Sequence, residues 1–149
     1  MTVTGNTNAY STPIPAAKAR VMIVDDTLEN LITATRLLML SGVAAGNCIK
    51  KVSSDGVVQF AETVEKLDLI LLDLGLPYED GYEILQELRR RPQFANTLVV
   101  VITGHTSLEE MRKAQDAGFD GFIGKPLQFD RFPDQLSRIL SGRQVWECR

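Results

Sequence analysis

The sequence predicts an α/β fold, a doubly wound parallel sheet of five strands with helices on both faces. Three observations carry this. Five short apolar runs alternate with five stretches of helical periodicity, the pattern that builds parallel sheets from crossover units. The runs VMIV (21–24), LILL (69–72) and LVVVI (98–102) are unbroken, as strands buried on both faces tend to be. The polar residues closing four of the runs, Asp26, Asp73, Thr103 and Lys125, stand 47, 30 and 22 residues apart. Each gap holds the dozen or more residues that a parallel crossover needs.

Residues 1–19 contain no acid and show no periodicity, and are expected to form a flexible leader. The first strand then ends at Asp25-Asp26. Thr27 is placed to cap a helix carrying Leu28, Leu31, Ile32, Thr35 and Leu38 on one face and ending near Ser41-Gly42. Cys48 to Val52 alternates apolar and polar residues, a weaker strand. Ser54-Asp55-Gly56 opens a helix with Val57, Phe60, Ala61 and Val64 inward, ending about Lys66. The third strand runs into Asp73 and is stopped by Gly75 and Pro77. Tyr78-Glu79 reads as loop surface.

Asp80 or Gly81 starts a helix with Tyr82, Leu85 and Leu88 in register, stopping before Pro92. The fourth strand ends at Thr103-Gly104. Ser107 and Glu110 fit a capping box for a helix through Ala117, with Gly118 beyond it. The fifth strand, GFIG (121–124), finishes at Lys125-Pro126. A last helix from about Asp130 to Ser141 buries Phe132, Leu136, Ile139 and Leu140, with Pro133 tolerated in its first turn. The domain is thus expected over residues 20–141, followed by a short tail, 142–149, polar except for Val145 and Trp146.

A length of 149 residues suits one domain. The formal charge of -3 and the scatter of basic residues argue against a nucleic-acid binder that neutralises phosphates. The chain has neither an apolar stretch of bilayer length nor a signal-peptide core, so a cytoplasmic location is expected. Cys48 and Cys148 match no metal spacing and are expected to be free thiols. Eight residues follow Ser141, too few for a DNA-binding or enzymatic output domain.

In a parallel sheet every strand's C-terminal residue lands on one edge, where α/β proteins place their ligands. Asp25, Asp26, Asp73, Thr103 and Lys125 are therefore expected to converge. Two carboxylates about 4 Å apart repel by roughly 4 kcal/mol at an effective dielectric near 20. A hard divalent cation, Mg2+ or Mn2+, relieves that repulsion and also draws in a phosphoryl group. The parts fit in-line phosphoryl transfer onto a carboxylate. Asp73 is the candidate nucleophile; Asp26 and Asp73 are candidate direct metal ligands, with Asp25 acting through water and the Gly75 carbonyl completing the set. Lys125 is placed to hold a phosphoryl oxygen as a point charge, and Thr103 to give another a hydroxyl hydrogen bond.

Asp25-Asp26 after VMIV, Asp73 in DLGLP, Thr103-Gly104 after LVVVI and Lys125-Pro126 after GFIG together resemble the receiver domain of two-component response regulators. The resemblance spans residues 20–141 and implies strand order 2-1-3-4-5, the flavodoxin-like arrangement. It implies a phospho-aspartate at Asp73, Mg2+ dependence, and a donor that is a sensor histidine kinase or a histidine phosphotransfer protein. It implies a conformational switch in which Thr103 moves toward the phosphoryl group and Phe122 rotates inward, and a cis Lys125-Pro126 bond. It places a downstream protein partner on about Ser107 to Ser141, with homodimerisation left open. Acids at 109, 110, 116, 120, 130 and 134 lie there and read mostly as a solvated face. In such domains the positions of Gly75 and His105 tune how long the phosphoryl group survives. His105 itself reads more simply as a loop histidine.

The expected function is a stand-alone phospho-accepting switch, not an enzyme, that acts by docking or by relaying its phosphoryl group. Two other readings compete. A phosphohydrolase of the haloacid-dehalogenase type would need a second acid two residues after Asp73, where Gly75 stands. A receiver-like interaction module without phosphorylation would be favoured by a missing acid, acceptor or lysine, and none is missing.

Overall fold

The computed structural model describes residues 13–75 and 80–148. Leu76, Pro77, Tyr78 and Glu79 of the loop after Asp73 lie outside the described residues. The chain alternates β1 (Val21–Val24), α1 (Leu28–Leu40), β2 (Cys48–Lys51), α2 (Val57–Ala61), β3 (Leu69–Asp73) and α3 (Gly81–Arg89). It continues through β4 (Leu98–Thr103), α4 (Leu108–Ala117), β5 (Gly121–Gly124), α5 (Phe132–Leu140) and β6 (Val145–Glu147). All neighbouring strands pair in parallel, in the order β2-β1-β3-β4-β5-β6. The doubly wound sheet and the order expected for its first five strands are both present.

Alternation along the strands divides the core in two. Val21, Ile23, Leu69, Leu71, Val100 and Ile102 face α1 and α5. Met22, Val24, Ile70, Leu72, Val99 and Val101 face α2, α3 and α4. Burial on both faces is why these strands read as unbroken apolar runs. Helix ends follow local chemistry. The Asp80 carboxylate accepts from the Tyr82 N–H, and the Ser107 hydroxyl accepts from the Glu110 N–H. Gly118 closes α4 at φ 100°, a left-handed conformation that costs glycine nothing.

Several expectations need correction. The sheet has six strands, because residues 145–147 of the expected tail pair with β5. Residues 13–19 of the expected leader are ordered: Ala16–Lys18 form a 3-10 turn, Ala19 is buried, and the Ile14 N–H donates to the Leu140 carbonyl, while residues 1–12 lie outside the described residues. On α1 the inward residues are Leu31, Ala34, Leu37 and Leu38, while Leu28 is 63% and Ile32 44% exposed. Thr35 turns its hydroxyl back onto the Leu31 carbonyl. Thr27 stands at the head of α1, but its side chain caps no helical N–H. Finally, α2 ends at Ala61 rather than near Lys66, with turns filling the interval and Lys66 at φ 53°.

Candidate functional site

The C-terminal edge of the sheet gathers the expected side chains. β1 delivers Asp25 and Asp26, β3 ends on Asp73, β4 ends on Thr103, and the chain leaving β5 carries Lys125. Register makes the gathering tight: Asp73 pairs with Ile102 and Thr103 with Gly124, so Asp73, Thr103 and Lys125 follow one another along the edge. The Lys125 N–H donates to the Thr103 carbonyl at 2.7 Å. The Lys125-Pro126 bond is cis.

One carboxylate oxygen from each of Asp25, Asp26 and Asp73 lies within 4.8 Å of the others. The Lys125 ammonium spans two of them, donating to Asp25 Oδ2 at 2.8 Å and to Asp73 Oδ2 at 2.9 Å. Burial works against the lysine's charge. The two carboxylate hydrogen bonds outweigh it, so its pKa lies above the ordinary lysine value. One ammonium against three carboxylates leaves the cluster two charges negative.

The three acids differ in freedom. Asp25 is 4% exposed, and its Oδ1 accepts from the Thr27 N–H at 2.9 Å and from Asn30 Nδ2 at 3.4 Å. Asp73 is 8% exposed, with Oδ1 accepting from the Gly75 N–H at 2.9 Å. Asp26 is exposed and, among the described residues, accepts from the Thr27 hydroxyl at 3.4 Å. Two acids are thus held while the third faces solvent. Oxygen donors of this kind, two fixed and one open, fit a hard divalent cation that keeps part of its water. A cleft of about 180 Å³ opens beside Asp25 and Lys125, bounded by Asn30, Thr33, Ala34 and Leu127.

Thr103 is buried, and its Oγ1 accepts from the His105 N–H at 3.1 Å. His105 is exposed and touches this edge through its backbone. Phe122 is fully buried within the α2–α3–α4 core. Sequence reasoning missed Asn30 as a partner of Asp25, although its place in the first turn of α1, five residues after Asp25, was a usable signal. It also read Asp120 as part of a solvated face. Asp120 is a strut, accepting from the Val99 N–H at 2.9 Å and from Arg89 at 2.7 Å.

Comparison with known proteins agrees with the fold. The family model of the response regulator receiver domain matches residues 21–137. The chain is 28% identical over 119 residues to the two-component response regulator ORR12 of Oryza sativa, covering 80% of this chain and 96% of that one. It is 32% identical over 134 residues to the histidine kinase CKI1 of Arabidopsis thaliana, covering 81% of this chain and 11% of the kinase. It spans half or less of the length of several other curated relatives. The solved structure of the chemotaxis response regulator CheY4 of Vibrio cholerae superposes with a TM-score of 0.72 at 22% identity, covering 81% of this chain and 98% of that one. The parallel sheet, with an acid cluster and a lysine at its C-terminal edge, places the chain in the class of doubly wound α/β domains with flavodoxin-like strand order. Within that class, this chain belongs to the response regulator receiver family.

Proposed function

We propose that the protein is a phospho-accepting signalling switch whose acceptor is Asp73. The observation that carries this is the Lys125 ammonium held between Asp25 and Asp73 beside an exposed Asp26. In the transfer, an Asp73 carboxylate oxygen attacks the phosphorus of a phosphohistidine in line. A P–O bond forms, the P–N bond breaks, and its electron pair returns to the imidazole. A Mg2+ bound by Asp26 and Asp73, with Asp25 acting through water and the Gly75 carbonyl joining the set, would neutralise charge on the phosphoryl oxygens.

The chain's own residues do the remaining work. Asn30 and the Thr27 N–H keep Asp25 pointed at the site. The Gly75 N–H fixes Asp73 Oδ1, leaving Oδ2 on the side of the lysine. Lys125 follows the incoming phosphoryl group by exchanging a carboxylate for a phosphoryl oxygen. Thr103 supplies a hydroxyl hydrogen bond to another oxygen, and Phe122 completes the switch behind it. Gly75 and His105 stand where the lifetime of the acyl phosphate is tuned.

The donor is a histidine kinase or a histidine phosphotransfer protein, a reading supported by the match to a segment of a histidine kinase. The downstream partner binds about Ser107 to Ser141, where Leu108 and Phe129 are exposed apolar side chains. The test is direct. With Mg2+ and acetyl phosphate the chain should gain one hydroxylamine-labile phosphoryl group, read by intact mass, and Asp73→Asn should gain none. Labelling that survives in Asp73→Asn removes Asp73 from its role.

A further inference from the structure

Without β6, β5 would be the sheet's outer strand and would present unpaired backbone donors and acceptors along that side. Instead Gly121, Phe122 and Ile123 pair with Val145, Trp146 and Glu147. Two glycines make the fit. A Cβ on Gly121 would lie 3.0 Å from the Val145 carbonyl, and one on Gly124 would overlap the Cys148 carbonyl. β6 is fastened to α5 through Glu147, which accepts from Gln135 at 2.8 Å, from Arg138 at 2.8 Å and from Arg131 at 3.2 Å. Trp146 is half-buried and packs into the same apolar cluster as Phe122.

The end of this strand comes near the acidic site. The carbonyl of Cys148, the residue after β6, occupies the space that a Cβ on Gly124 would take, and the residue after Gly124, Lys125, bridges Asp25 and Asp73. A backbone movement at Gly124 and Lys125 would therefore run into the Cys148 carbonyl. The fastening is modest: three residues at a sheet edge, with Arg131 40% exposed in its ion pair.

We propose that β6 is a displaceable latch coupled to the acidic site. It is docked while Lys125 bridges Asp25 and Asp73, and released when a phosphoryl group on Asp73 draws Lys125 away from Asp73 Oδ2. Release uncovers the backbone edge of β5 and frees Trp146 from Phe122. The coupling is reciprocal, so loosening β6 favours the loaded site. This rests on the phosphorylation of Asp73 proposed above.

Trp146 is the chain's single tryptophan, so fluorescence under tryptophan-selective excitation, which leaves the three tyrosines dark, reports β6. Mg2+ and acetyl phosphate are added, and phosphoryl content by intact mass, acrylamide quenching of Trp146 and hydrogen exchange of residues 143–148 are read on the same sample. Labelling is expected to raise quenching at least twofold and exchange in 143–148 at least tenfold. Glu147→Ala, with its fold checked by far-UV circular dichroism, should show high quenching before labelling and be labelled several-fold faster. A labelled chain with unchanged quenching and exchange overturns the latch and leaves the site reading standing. So does a Glu147→Ala variant with Trp146 freed but an unaltered labelling rate. A wild-type chain that takes up no phosphoryl group overturns the site reading and the latch with it.

Discussion

Lys125 holds Asp25 and Asp73 with one ammonium while Asp26 stands outside its reach, an arrangement whose balance depends on a single cation. Removing it leaves two largely buried carboxylates facing each other. Lys125→Ala should therefore keep the fold but lose about 1–2 kcal/mol of stability without divalent metal. That is less than the loss on breaking a fully buried pair, because the lysine side chain is partly exposed. Urea denaturation with and without Mg2+ checks this: the loss should shrink once the metal neutralises the acids, and an unchanged midpoint in metal-free buffer would show the bridge to be idle. At this scale the sequence was informative about which side chains meet. Asp25, Asp26, Asp73, Thr103 and Lys125 could be placed together because each closes a strand, and parallel strands end on one side. Asp120 was not legible, because an acid that satisfies a strand N–H and an arginine looks in sequence like any exposed acid.

The element with most at stake is β6. Gly124→Ala puts a methyl group where the Cys148 carbonyl sits, so this substitution should expel β6 while sparing the other five strands. Trp146 emission should move to the red with little change in far-UV circular dichroism; a retained blue emission would mean the strand tolerates the methyl. The same strand should respond to acid. Its hydrogen bond to Arg138 holds Glu147 below the ordinary glutamate range, against the opposing effect of burial, and Gln135, Arg138 and Arg131 reinforce the effect. Asp134 shares Arg138 from the same helix. A carboxylate with a depressed folded pKa contributes its full stability above the unfolded value and loses it as pH falls through the folded one. Quenching of Trp146 should accordingly rise as pH drops below the ordinary glutamate range, before the main acid transition seen by circular dichroism.

β6 was hidden in the sequence because three residues carry no periodicity, and their pairing comes from long-range packing. The inward face of α1 was ambiguous for a related reason. Leu28 and Ile32 on one side and Leu31, Ala34 and Leu38 on the other both recur at helical spacing, and only the packing against β1, β3 and α5 decides between them.

For the whole molecule, an acidic edge that takes up a divalent cation, as proposed, should make stability depend on that ion. A ligand bound only by the folded chain stabilises it by about 2.7 kcal/mol at a hundred times its Kd. For a domain of this size that is roughly 5–10 °C in Tm. Saturating Mg2+ should raise Tm by about that amount in wild type and by clearly less in Asp26→Asn. Equal shifts in both would place the ion elsewhere. The parallel sheet and its acidic edge follow from rules of crossover and strand direction, which sequence spacing records, whereas the strand order was implied by the receiver-domain resemblance. The close of the sheet by β6 and the docking of residues 13–19 on α5 depend on surfaces that exist only once the domain has assembled.

The contrast between a tethered Asp25 and a solvent-facing Asp26 carries a kinetic meaning. If the site takes up a divalent cation as proposed, Asp26 is the carboxylate that an approaching hydrated ion would meet first, with Asp25 and Asp73 already held by the chain behind it. Changes at Asp26 would then act on how fast the ion comes and goes, and changes at the tethered acids on which ion is held.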